Sequence, residues 1–236
     1  MRILSLFSLA LGALCCGAVS ASAYDVAPVK NGGTIKGKVT YDGAVPMRTV
    51  LPTKDAKVCG NVRKEALIVV GDDKGVKDVA VHLQGIEKGK AWPAADKPPV
   101  IDNKDCVFLP HVQIVPVGKV DVLNSDPVLH NTHGYYGKRT AFNIALPNQG
   151  QNIEVELKRP GTVKIDCDAH GWMLGWVYVV DNPYYSLTNE KGEFEITDIP
   201  PGKYTLVADQ EELGSLPMEV EVKAGETVEL PIALKK

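Results

Sequence analysis

Histidine and cysteine are scarce in this chain, five of each among 236 residues, and the 26 lysines and arginines do not outnumber the 29 acidic side chains. No H-x-H pair occurs, which excludes the trinuclear centre of a multicopper oxidase. Beyond residue 23 no two cysteines share a loop, so a binuclear electron-transfer copper site is excluded, and the absence of C-x2-C-H excludes c-type haem attachment. No nucleophile elbow marks a serine hydrolase. Without a basic patch or stripe, nucleic acid is a poor partner. After residue 23 no stretch approaches the roughly 18 apolar residues that span a bilayer.

What is present begins with a leader. Arg2 supplies a minimal positive end, Ile3 to Ala18 is mostly apolar, and Ala21-Ser22-Ala23 reads as a cleavage site. Residues 1–23 are therefore expected to be a signal peptide, with Tyr24 opening an exported, periplasmic or secreted protein. Leu14 and Cys15 are not the small residues expected before a lipidated cysteine, so Cys15 and Cys16 do not suggest a lipoprotein. Removing the leader takes away one basic and no acidic side chain, and leaves a net charge near −4.

Three cysteines survive export: Cys59, Cys106 and Cys167. An odd number in an oxidising compartment leaves at least one thiol unpaired within the chain, and ligation of a metal gives such a thiol a reason to persist. Cys59 and Cys106 can then form a disulfide, although spacing does not fix which two pair.

Alternation of apolar and polar residues dominates and helical periodicity is hard to find, which predicts an all-β protein. Ile35, Gly37 and Val39 alternate up to the Asp42-Gly43 turn; Leu67–Val70 and Val79–Leu83 form two further runs around a turn at residues 71–75. Residues 89–97 read as a loop. Val112 and Ile114, then Val120 and Val122, precede the Asn124-Ser125-Asp126-Pro127 turn, whose side chains bond nearby backbone while proline fixes φ. A polar loop is expected next, then a strand over 153–158 and, after Pro160-Gly161, another in which Val163, Ile165 and Cys167 share one face. Val177 and Val179 return as a strand, and residues 184–236 repeat short strands with their own turns. This divides the chain into an N-terminal β region over 24–98, a central domain over 99–181 and a smaller β domain over 182–236, of binding or packing type.

The central domain carries the chemistry. Cys167, His170 and Met173 stand at C-x2-H-x2-M spacing at a strand end, and His130 lies just past the Asp-Pro turn. One thiolate, two imidazoles and a long axial thioether suit copper that changes oxidation state, because the trigonal arrangement serves both states. Cys167 would be the thiolate, His130 and His170 the nitrogen ligands and Met173 the weak axial ligand. Zinc accepts Cys and His, but its structural sites prefer more cysteines and methionine serves it poorly. Taken singly, each residue has a plainer role, Cys167 as a small buried side chain, Met173 as core filler and His170 as a turn cap; taken together they favour one ion. His133 can replace His130, bind a second ion or sit in a loop, and His130 is favoured because Asn131 follows it. His82 and His111 fall in strands as outward-facing or satisfied residues, Trp172 and Trp176 pack near the sheet end or shield the metal, and Tyr135 and Tyr136 are loop aromatics or line a partner surface. The acidic cluster Asp209–Glu212 reads as a solvated turn.

With Gly118-Lys119-Val120, Asn124, His130-Asn131, Pro160-Gly161 and Cys167-Asp168-Ala169-His170-Gly171-Trp172-Met173 in this order, residues 108–181 resemble a cupredoxin, with a ligand loop similar in length to that of amicyanin and shorter than in plastocyanin. The run 106–185 resembles plastocyanin-like proteins often labelled methylamine-utilisation proteins. That resemblance implies an antiparallel β-sandwich with one type 1 copper ion at one end, and single-electron exchange with exported redox proteins, commonly a c-type cytochrome or a dehydrogenase, rather than an enzyme. Gly192-Glu193-Phe194 and Ile-Pro-Pro-Gly-Lys-Tyr resemble carboxypeptidase-regulatory-like modules, which implies a transthyretin-like sandwich over 184–236; residues 33–46 are similar to the opening of that module. Alternative functions are a Cu(I) chaperone or store without redox cycling, and a scaffold whose copper role is lost.

Overall fold

The computed structural model describes residues 24–236, nearly all of them strand, turn or loop, with one four-residue helix at Ala56–Cys59. The leader expected over residues 1–23 lies outside the described residues. Among the described residues no helix is long and apolar enough to cross a membrane.

Two sandwiches account for most of the strands. One pairs a four-stranded sheet, in the order Asn152–Leu157, Gly118–Asn124, Val100–Lys104, Val107–Leu109, with a five-stranded sheet in the order Arg139–Leu146, His130–Tyr136, Gly161–Asp166, Leu174–Val180, Val112–Pro116. Their inner faces meet in one core: Ile101, Val120 and Val122 from the first sheet against Leu146, Val163, Ile165 and Val177 from the second. Period-2 alternation fixes which side chains enter it, since Val163, Ile165 and Cys167 are buried while Lys164 and Asp166 are half-buried.

The second sandwich is discontinuous in sequence. Gly33–Tyr41 lies beside Glu193–Ile199 and the final strands Thr227–Glu229 and Ile232–Leu234, while Ala80–Gln84 sits between Tyr185–Leu187 and Gly202–Gln210. Ile35, Val39, Val81 and Leu83 thus share a core with Tyr184, Phe194, Ile196 and Leu206. The expected split of 24–98 from 182–236 does not follow this hydrogen bonding. The apolar faces of the C-terminal strands are covered by the N-terminal ones, which have no other partner sheet. A small cluster of Ala80, Val112 and Tyr178 joins the two sandwiches.

Three local expectations change. Leu67–Val70 is not a strand; the strand lies just before it, at Arg63–Ala66, paired with Met47–Val50, and Val70 makes only an isolated bridge to Val76. The polar loop expected after the Asp-Pro turn is a hairpin, His130–Tyr136 with Arg139–Leu146. Its inward positions hold polar groups: Thr132 is fully buried and bonded to Asn103, so no apolar alternation marks the strand. Residues 209–212 are not simply solvated, because Asp209 and Glu211 each bind a histidine, His82 and His111.

Cys59 and Cys106 are disulfide-bonded, 47 residues apart in sequence, and among the described residues Cys167 is the free cysteine, and it is buried. The bond ties the Met47–Ala66 excursion to the first sandwich, where Val50, Val58 and Cys59 pack on its core.

Candidate metal centre

His130 opens a strand and Cys167 follows the end of the neighbouring one, so two adjacent strands of one sheet deliver them to the same end of the sandwich. The Asn124-Ser125-Asp126-Pro127 turn sets the approach of His130. Asn124 is fully buried, its side-chain NH2 donates to the carbonyls of Val128 and Leu146, and its Oδ1 accepts from the Asp126 N–H at 3.0 Å. Asn131 links the two strands. Its N–H donates to Cys167 Sγ at 3.4 Å, and its Oδ1 accepts from the Asp168 N–H at 3.2 Å.

One ligating atom each from His130, Cys167 and His170 lies within 4.8 Å of the others. The two histidine side chains are 0% exposed and Cys167 is 2% exposed. The imidazoles face each other through Nδ1, 3.0 Å apart, and His170 Nδ1 is 3.8 Å from Cys167 Sγ. Met173 is also buried, closes the loop through an N–H bond to the His170 carbonyl at 2.9 Å, and lines the same surface pocket as Cys167. A second triplet, Cys106, Asp126 and His130, has its sulfur in the disulfide and offers no thiolate. His133 points to the opposite face of its strand, where Tyr135, Asn143, Thr140 and Asp168 surround it. Trp172 lies 5.0 Å from His170, centroid to centroid.

The outer nitrogens define the inner ones. His130 Nε2 lies 2.8 Å from Asp126 Oδ2, and His170 Nε2 lies 2.9 Å from Asp55 Oδ2. A carboxylate only accepts, so each Nε2 is assigned a proton and each ring turns its Nδ1 inward. Two ring nitrogens 3.0 Å apart and shut off from water need either a shared proton or a metal ion between them. Carboxylates in this position are what fixes the tautomer and raises the basicity of histidines that hold a metal. The residues therefore fit a cation held by soft and imidazole donors.

Electrostatics agree. Burial holds His130 below the usual histidine range, partly offset by Asp126, so it favours the neutral, ligating form. Burial also pushes the Cys167 thiol up, against backbone donors from Asn131, His170 and Ala169, so without a cation it keeps its proton.

Neither carboxylate was expected from sequence. Asp126 stands four residues before His130 in a turn of evident polar character, a signal that was available. Asp55 is 115 residues from His170 and carries no local signal.

No family model and no curated protein matches the chain by sequence. Solved structures similar to it include a copper-containing nitrite reductase from Thermus scotoductus SA-01, 20% identical with a TM-score of 0.32; the match covers 38% of this chain but spans only 24% of the reductase. A purple cupredoxin from Nitrosopumilus maritimus is 27% identical over 35% of this chain and 99% of its own, with a TM-score of 0.31. Amicyanin from Paracoccus versutus is 18% identical over 42% and 97%, with a TM-score of 0.33.

Proposed function

We propose that this is an exported type 1 copper protein that carries single electrons between redox partners, with His130, Cys167, His170 and Met173 as ligands. The observation that carries this reading is the pair of inward Nδ1 atoms, each backed by a carboxylate, beside an unpaired buried thiol. A thiolate, two imidazoles and a thioether would hold copper and let it pass between its two oxidation states.

The chain's own residues supply the rest. Asn131 donates to the sulfur and spans the ligand strands, so the thiol and His130 keep their separation when charge changes. Burial of both imidazoles excludes water from the inner face, and the outer carboxylates stop the rings from turning. Cys167 gives up its proton on ligation, so binding releases a proton and strengthens with rising pH. Exported redox proteins, such as c-type cytochromes or a dehydrogenase, are the partners this reading implies.

The test is to load purified protein with Cu(II) and record its visible and electron-spin spectra, then repeat with Cys167→Ser. An electron carrier gives intense thiolate-to-copper absorption that the variant lacks. A wild-type protein that takes up copper but stays colourless and resists oxidation points instead to a Cu(I) chaperone or store. A protein that takes up none defeats both readings.

A further inference from the structure

The Met47–Ala66 excursion reaches the metal centre from outside the sandwich that builds it, and it is fastened at several points. Met47–Val50 pairs with Arg63–Ala66, Cys59 is bonded to Cys106, and Val50 and Val58 pack on the core that also holds Cys167, Trp172 and Met173. Glu65 accepts from both Arg48 and Arg63, and Arg63 also donates to the Cys59 carbonyl. At its apex Asp55 stands before the helix Ala56–Cys59, in the position where an aspartate ordinarily caps. Its side chain makes no cap bond. Instead Oδ2 lies 2.9 Å from His170 Nε2. Asp55 also holds a left-handed backbone with φ 51°, uncommon for a non-glycine residue. Backbone conformation and the foregone cap both serve to aim the carboxylate at the histidine. Its own side chain is 42% exposed while that of His170 is 0% exposed, so the contact links the buried imidazole to a carboxylate that reaches water.

We propose that this excursion is a fastened cover on the metal centre, in which Asp55 is the positioning residue for His170 and limits how fast an ion leaves. The inference rests on the copper reading for its second half only. The positioning half concerns the chain without metal.

Two variants test it in the full mature chain. Asp55→Gly removes the carboxylate without straining the left-handed backbone, and Asp55→Asn keeps an acceptor oxygen in a residue that tolerates it. In nitrogen-15 NMR of the metal-free protein, His170 should show a slowly exchanging Nε2–H in the wild type, lose it in Asp55→Gly and regain it in part in Asp55→Asn, with His130 unchanged in all three. In Cu(I)-loaded protein, transfer of the metal to bathocuproine disulfonate should be roughly 10–100-fold faster in Asp55→Gly than in wild type, the scale on which outer partners of ligating histidines act. A slow His170 Nε2–H that survives in Asp55→Gly overturns the proposal. So does metal transfer within about twofold of wild type, well below that scale. If the chain takes up no copper, the copper reading falls while the NMR arm still decides the role of Asp55.

Discussion

Replacing Asp126 by alanine should destabilise the metal-free protein, and the structure gives the size. The carboxylate is buried. Oδ1 accepts from the Asp105 N–H at 2.8 Å, and Oδ2 accepts from the Cys106 N–H at 2.9 Å and the His130 Nε2–H at 2.8 Å. Asp105 and Cys106 both have positive φ, 54° and 55°, and connect the antiparallel strands Val100–Lys104 and Val107–Leu109. Such two-residue connections favour Asn-Gly or Asp-Gly. Here cysteine stands where glycine is preferred, and the Asp126 carboxylate holds the turn. In Asp126→Ala the Cys106 N–H and the His130 Nε2–H stay buried without an acceptor, at about 1–3 kcal/mol each, whereas the more exposed Asp105 N–H finds water. The expected loss is therefore about 2–6 kcal/mol, or roughly 4–24 °C in Tm at about 2–4 °C per kcal/mol for a chain of this length. Asp126→Asn, with one acceptor oxygen left, should lose about half as much. Urea unfolding followed by tryptophan fluorescence suits the measurement, because Trp172 and Trp176 both belong to the affected sandwich. A loss below about 0.5 kcal/mol in Asp126→Ala, as for an unremarkable surface site, would refute the role given to this carboxylate.

Two further outcomes follow from other contacts. Removing the disulfide with Cys59→Ser and Cys106→Ser together should cost about 4 kcal/mol on the chain-entropy model for a loop of this size, measured by the same unfolding; an unchanged midpoint would mean that the excursion is held by packing alone. His111 lies above the usual histidine range: burial lowers it and Arg48 opposes its charge, but Glu211 at 3.3 Å and the Leu174 carbonyl at 3.0 Å outweigh both. Such a group gives stability that is complete below its unfolded value of about 6.5 and is lost as pH rises through its higher folded value. Tm measured from pH 6 to 9 should therefore fall in wild type relative to His111→Gln, and parallel curves would count against the contact.

Legibility from sequence tracked how each residue's role is encoded. The strands of Val163, Ile165 and Cys167 and of Val177 and Val179 were visible because one face is apolar and the other polar. His130–Tyr136 was not, because its inward positions include His130 and Thr132, whose burial is made tolerable by Asp126 and Asn103 rather than by hydrophobicity. The three donors brought together around the inward nitrogens were nameable from spacing and from an odd cysteine count. Their outer carboxylates were not equally so: Asp126 sits in a readable turn, whereas Asp55 meets His170 only because a disulfide and a hairpin bring a distant segment over it. The pairing of the N-terminal strands with the C-terminal ones was hidden for a similar reason, since alternation states that a strand has a buried face and is silent on which sheet buries it.

The interleaving of the second sandwich has a consequence for the order in which the chain acquires structure. Ile35 pairs with Ile196 and Val39 with Ile232, so Gly33–Tyr41 waits for strands that lie far along the chain from it. Closing such distant ends is slow, and unpaired strand edges invite misassociation in the interval. The strands between residues 100 and 180 have all their sheet neighbours within that span and can assemble first. Those first strands must therefore be kept from unwanted pairing until their distant partners have been made.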